Sequence, residues 1–224
     1  MTIKTRAPLT RDRVIEAALV VMDREGLEAV TMRRIAREVG VEAMSLYHHV
    51  EDKDDLLDGI CEQVMAGFEF PDASGDWAED CRRGARAWRD LLRQHPNVMT
   101  LFAQQRGPVR SVESLRPMEY ALRLLRTAGL SDLDTAQAFH AFGGYIQGFV
   151  MMELGSIAGG IDQEHLTKQA ELTGNLPDDF AVLRAVSPHL ADCDFDQRFE
   201  FGLDLLIRGL EAKVSRASEP TAVG

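Results

Sequence analysis

Apolar residues recur at helical spacing (i, i+3, i+4) along most of this chain, and the interruptions fall at Gly, Pro or capping residues, so the pattern predicts an all-α fold. After Thr10, a suitable N-cap, Val14, Ala17, Ala18, Val21 and Met22 form one stripe that Gly26 closes. Thr31 is placed to cap a second helix, in which Ile35, Ala36 and Val39 share an apolar face while Arg33, Arg34 and Arg37 point elsewhere. Gly40 suits a left-handed turn. Beyond it Val41, Leu46 and Val50 continue the apolar face, which leaves Met44, Ser45, Tyr47, His48 and His49 projecting outward. Two short helices hinged at a glycine, the first charged and the second tipped with hydrogen-bonding groups, have the form of a helix-turn-helix and point to the DNA major groove.

The rhythm continues. Lys53 to about Phe68 carries Leu56, Leu57, Ile60, Val64 and Met65, and the run from Phe70 to Asp76, with Pro71 and Gly75, breaks it. A domain boundary is placed there, giving residues 1–67 as a DNA-binding domain, 68–214 as a larger helical domain and 215–224 as a disordered tail. Residues 77–95 are helical through Trp77, Cys81, Ala85, Trp88, Leu91 and Leu92 until Pro96, and a short helix follows through Val98, Leu101 and Phe102. A further helix runs from Met118 to Gly129. Ser131 and Asp134 form an S-x-x-D start to an almost wholly apolar helix ending near Leu154, in which Gly143, Gly144 and Gly148 let another backbone approach. Residues 155–179 are polar and Gly-rich and are expected to be a mobile excursion. The last helix begins near Asp194 and presents Phe195, Phe199, Gly202, Leu203, Leu206 and Leu210 on one side.

Composition narrows the partners. A formal net charge of -11 repels a polyanion at long range, so DNA binding has to be local, carried by Arg33, Arg34, Arg37 and Lys53 around the hinge. Three cysteines, odd in number and widely separated, suggest neither a disulfide framework nor a zinc site. No run approaches the roughly 20 apolar residues that cross a bilayer, and a cytoplasmic protein is expected. His48 and His49 point in different directions on a helix, so no metal site is expected from them, and no cofactor motif is present.

Glu25-Gly26-Leu27-Glu28, Thr31 to Ala36, Gly40-Val41, Leu46-Tyr47, His49-Val50 and Lys53 with Leu56-Leu57 together resemble the DNA-binding domain of the tetracycline-repressor (TetR) family. Trp88, Leu91-Leu92, the run from Ala128 to Ser131 and the run from Phe201 to Leu206 resemble the regulatory domain of its tetracycline-repressor-like branch. The resemblance implies a homodimeric repressor whose larger domain binds a small molecule and then releases a palindromic operator. It implies DNA contacts from Thr31, Arg33 and Arg34 on the second helix, from Ala43, Met44, Ser45, Tyr47 and His48 on the recognition helix, and from His49 and Lys53 at backbone phosphates. The chemistry suits these places: arginine reads guanine in bidentate fashion, Ala43 and Met44 suit thymine methyls, and Ser45 and Lys53 suit phosphates. Tyr47 either braces the domain or reaches a phosphate. One departure limits the resemblance. Tetracycline-binding members hold magnesium through a histidine where this chain reads Val98 to Phe102, so magnesium-tetracycline is not the expected inducer.

The effector is expected to be hydrophobic or aromatic. Met99, Phe102, Phe139, Phe142 and Met151 supply an adaptable apolar lining, and His95, Gln104, His140 and Gln147 supply polar tips. His95, just before Pro96, can instead close its own helix. Apolar stripes on the helix from Ser131 and the helix from Asp194 allow two copies to join as a four-helix bundle, setting two recognition helices about 34–36 Å apart. Two alternatives stay open at this level: a helical enzyme using the larger domain's cavity as an active site, and a DNA-binding activator.

Overall fold

The computed structural model describes residues 8–103, 112–158, 173, 176–190 and 194–218, which are helical and contain no strand. By packing, the chain divides into two compact units, residues 1–139 and 140–224.

In the first unit, α1 (Arg11–Glu25) starts where the Thr10 hydroxyl accepts the Arg13 N–H, and it stops at Gly26. Its Val14, Ala18, Val21 and Met22 are fully buried, because i, i+4 and i+7 positions share the face that α2 and α4 cover. Helix α2 (Met32–Val39) is capped by the Thr31 hydroxyl, which accepts the Arg34 N–H. Gly40, at φ 68° and ψ 47°, turns the chain out of it, and the N–H groups of Gly40 and Val41 both return to the Ala36 carbonyl. Helix α3 (Ala43–Leu46) is shorter than the apolar pattern through Val50 implies. The N–H groups of His49 and Val50 both return to the Leu46 carbonyl, so the segment closes as a turn. Helix α4 (Lys53–Ala66) begins at Asp52, whose carboxylate accepts the Asp55 N–H.

Ion pairs fix the angle of α2. Arg34 reaches across to Glu25 at the end of α1, with Nη2 to Oε1 at 2.6 Å, and one turn along its own helix to Glu38 at 2.7 Å. The hydrogen bond from Arg34 holds the Glu25 carboxyl below the usual carboxylate range.

After residues 67–76 come α5 (Trp77–Gln94), α6 (Val98–Ala103), a single 3₁₀ turn at Glu113–Leu115 and α7 (Arg116–Thr127), which has a proline in its first turn. The change of composition near residue 68 marks no gap in packing, since α4 touches α6, α7 and the 3₁₀ turn. Helix α8 (Asp132–Ala158) starts as its S-x-x-D pattern predicts: Ser131 Oγ accepts the Asp134 N–H and in turn donates to the Asp134 carboxylate. Helix α8 extends past Leu154, the end expected from sequence. Most of the expected excursion, residues 159–172, 174 and 175, lies outside the described residues.

The second unit holds the rest of α8, α9 (Ala181–Leu190) and α10 (Phe195–Ser218), and α8 packs on α10. The Tyr145 ring stacks on Phe199, and its hydroxyl donates to the Phe199 carbonyl at 2.7 Å. Gly202 leaves the space that this ring fills. Residues 215–218, expected as the start of a disordered tail, are the last turn of α10. They follow the helix because no Gly or Pro stops it there.

Two outcomes follow for stability. Gly40→Ala should cost roughly 1–2 kcal/mol in chemical denaturation and Gly40→Asn less, since asparagine tolerates the left-handed region. Glu25, whose pKa is depressed in the folded protein, contributes stability that is fully present above its ordinary pKa and lost as pH falls through the lowered value. Thermal melts from neutral to acidic pH should therefore show a shallower acid-side loss for Glu25→Gln than for the wild type.

Candidate nucleic-acid interface

The helix-turn-helix buries Ile35, Ala36, Leu46 and Val50 and turns the opposite side of α3 outward. Met44 is 73% exposed and Tyr47 48% exposed, on a segment whose Leu46 and Val50 are core. An exposed Met and Tyr side by side cost solvation without contributing to the head's own packing. Arg33, His48 and Lys53 are exposed as well; Ala43, Ser45 and His49 are half-buried. Among the described residues none forms an ion pair with Arg33 or Lys53. The Thr31 hydroxyl is engaged by the Arg34 N–H.

Arg34 differs from its neighbour. Its guanidinium is taken up by Glu25 and Glu38, which raise its pKa, and its side chain is only 19% exposed. Of two adjacent arginines, one is thus spent on holding α2 to α1 and the other faces solvent.

A further polar network, not foreseen from sequence, fixes the end of the recognition segment. Arg11, the first residue of α1, makes a bidentate pair with the buried Asp55 of α4, both bonds at 2.9 Å, and also donates to the His49 carbonyl. Asp55 accepts the Glu51 N–H at 2.8 Å as well. The chain just after α3 is therefore tied at His49 and Glu51 to the front of α1 and of α4. Beside it opens a cleft of about 460 Å³ lined by Arg11, Tyr47, His48, His49, Val50, Glu51, Asp55 and Glu62. With the carboxylates of Glu51, Asp55 and Glu62 beside the Arg11 guanidinium, that cleft is electrically mixed. Nothing in the sequence marks Asp55 beyond an acidic first helical turn, and its partner lies 44 residues away.

The residues expected around an effector are divided between the two units. His95 closes α5, and its Nδ1 lies 2.8 Å from the Asp23 carboxylate. Its backbone N–H returns to the Leu91 carbonyl and so ends the helix. Met99 is buried in α6 and Phe102 stacks on Trp88 at 6.2 Å. Gln104 lies outside the described residues. Phe139 ends the first unit, partly buried; Phe142 and Gln147 are partly buried on the second, whereas His140 and Met151 are exposed. Met151 shares an outward stripe with Gly144 and Gly148, a consequence of the helical period. Cys81 is buried, and burial pushes its thiol up to about 12, which keeps it protonated and unreactive at neutral pH. Among the described residues no group of three His, Cys, Asp or Glu side chains is placed to hold a metal, and no helix is long and apolar enough to cross a membrane.

Comparison with known proteins agrees with this geometry. Residues 14–60 match the family model of bacterial regulatory proteins of the tetR family, and residues 70–214 match that of the tetracyclin repressor-like C-terminal domain. The chain is 34% identical over 221 residues to the HTH-type transcriptional repressor DrrR1 of Streptomyces coeruleorubidus, covering 93% of this chain and 79% of that one. Its fold is similar to that of the TetR family protein ActR of Streptomyces coelicolor in complex with actinorhodin, with a TM-score of 0.81 at 30% identity over 93% of this chain and 99% of the other. It is also similar to BioQ of Mycobacterium smegmatis, solved with its double-stranded DNA operator, with a TM-score of 0.60 at 27% identity over 92% of this chain and 99% of the other. The chain belongs to the tetracycline-repressor family: it is a ligand-responsive, DNA-binding transcriptional regulator and not an enzyme.

Proposed function

We propose that the protein acts in the cytoplasm as a homodimeric repressor that leaves a near-palindromic operator when a small hydrophobic or aromatic effector binds its larger domain. The observation that carries the DNA half of this reading is the outward face of α3, where Met44 and Tyr47 stand exposed on a segment tied down at its far end through His49 and Glu51. Arg33 reads a base edge. Ala43 and Met44 lie against thymine methyls, Ser45, Tyr47, His49 and Lys53 hold phosphates, and Thr31 and His48 flank them. Arg34 is assigned to holding α2 in place rather than to DNA, because its carboxylate partners already satisfy it.

Pairing is supported by surface left uncovered on the second unit. On α10, Phe201 and Leu205 are 69% and 58% exposed, four residues apart on one face. On α8, Gly144, Gly148 and Met151 make a second outward stripe, with nothing within 4 Å of the glycine Cβ positions. Two copies of α8 and α10 joined through these stripes give a four-helix bundle. The effector reading draws on the aromatic and thioether side chains of Met99 and Phe102 in the first unit, and on the actinorhodin complex of ActR.

Selection of bound duplexes from a random pool tests the DNA reading. Arg33→Ala should cost about 1–3 kcal/mol and relax one symmetric position, whereas Lys53→Ala should weaken all sequences about equally and lower the salt slope by about one. Recovery of no preferred duplex by the wild type would end it. For pairing, Phe201→Asp with Leu205→Asp should weaken self-association at least about a hundredfold in sedimentation, because each copy would have to bury unpaired carboxylates. An unchanged dimer would place the interface elsewhere.

A further inference from the structure

Two side-chain hydrogen bonds join the α5–α6 corner to the last turn of α1. His95 Nδ1 meets the Asp23 carboxylate at 2.8 Å, and Asn97 Nδ2 donates to the Met22 carbonyl at 2.8 Å, across 72 and 75 residues of sequence. The corner is itself stiff: the His95 N–H returns to Leu91, and the Val98 N–H returns to the His95 carbonyl at 3.1 Å. On the other side of the same turn of α1, Glu25 pairs with Arg34 of α2. The last turn of α1 is thus gripped by the α5–α6 corner from one side and by α2 from the other.

The recognition segment is tied to the opposite end of that helix. Arg11, at the first position of α1, binds the His49 carbonyl and Asp55. The two ties lie eleven to twelve residues apart, so the lever between them is about 18 Å long at 1.5 Å per residue. Apolar packing of Met22, Val98 and Leu101 in one shared core holds the two parts close but has little directional preference. Hydrogen bonds at 2.8 Å do have one. A tilt of about 10° at the gripped end moves the far end of the lever by roughly 3 Å, close to the roughly 3.4 Å rise of one base pair.

We propose that the His95–Asp23 and Asn97–Met22 bonds are a clasp that sets the tilt of the reading helices on the α5–α6 corner, and thereby the spacing between operator half-sites that the paired protein accepts. His95 and Asn97 are positioning residues and touch no base. The inference rests on the dimeric repressor reading above and adds to it the residues that select spacing.

The test uses the full-length protein and three duplexes: a selected operator, the same half-sites with one base pair inserted between them, and a single half-site. The wild type should prefer the selected spacing over the inserted one by about tenfold or more, the scale set by one or two net hydrogen bonds. The double variant His95→Ala with Asn97→Ala should bind the single half-site as the wild type does, within about twofold, while its spacing preference falls to about threefold or less. His95→Gln, which keeps a donor for Asp23, should restore most of the preference. If the double variant is poorly folded by circular dichroism, Asn97→Ser alone takes its place, with a smaller loss expected in the same direction. Full spacing preference in the clasp variants, or loss of half-site binding along with it, would overturn the proposal. A wild type that binds the single half-site but has no spacing preference would overturn it too, whereas a wild type that selects no duplex at all would remove the repressor reading itself.

Discussion

A three-helix DNA-reading head of about 60 residues can bury only about 60% of the surface its unfolded chain exposes, too little for ample stability alone. Here that core is not confined to the head. Val14, Met22, Ile35, Leu46 and Ile60 belong to the same buried cluster as Leu91, Val98 and Leu101 from α5 and α6. The recognition segment therefore rests on a floor that the larger domain helps to build. Any rearrangement of α6 disturbs apolar surface that α1 and α4 also need, which is the physical requirement for a head that responds to events in the body.

Directional contacts are laid over that shared floor at separate points. Arg11 and Asp55 hold the end of the recognition segment, Arg34 holds α2 with Glu25 and Glu38, and the α5–α6 corner holds the last turn of α1. Among the described residues Arg33 and Lys53 stay outward and outside such pairs, on a chain whose net charge is -11.

The helices were legible because each is written twice, as an apolar period and as its caps: Thr10, Thr31, Gly26, Gly40 and Ser131 all sit where the chain changes direction. Gly40 with the exposed face of α3 was legible for the same reason. What the pattern overstated was the length of α3, since Val50 keeps the apolar face through a turn as readily as through a helix. The roles of Arg34 and His95 were not legible, because their partners Glu25 and Asp23 come from another helix, and periodicity carries no information on pairs across the fold. Asp55 was hidden in a run of acids that reads as an ordinary helix start.

Trp88 lies between the two parts of this shared floor. Its indole meets Phe68 of the head core edge-on at 5.7 Å and stacks with Phe102 of α6 at 6.2 Å, while the chain's other tryptophan, Trp77, stands at the start of α5. An indole wedged between rings from both sides changes its emission when either ring shifts. The protein therefore carries an intrinsic fluorophore at the junction, able to report movement of α6 without any attached label.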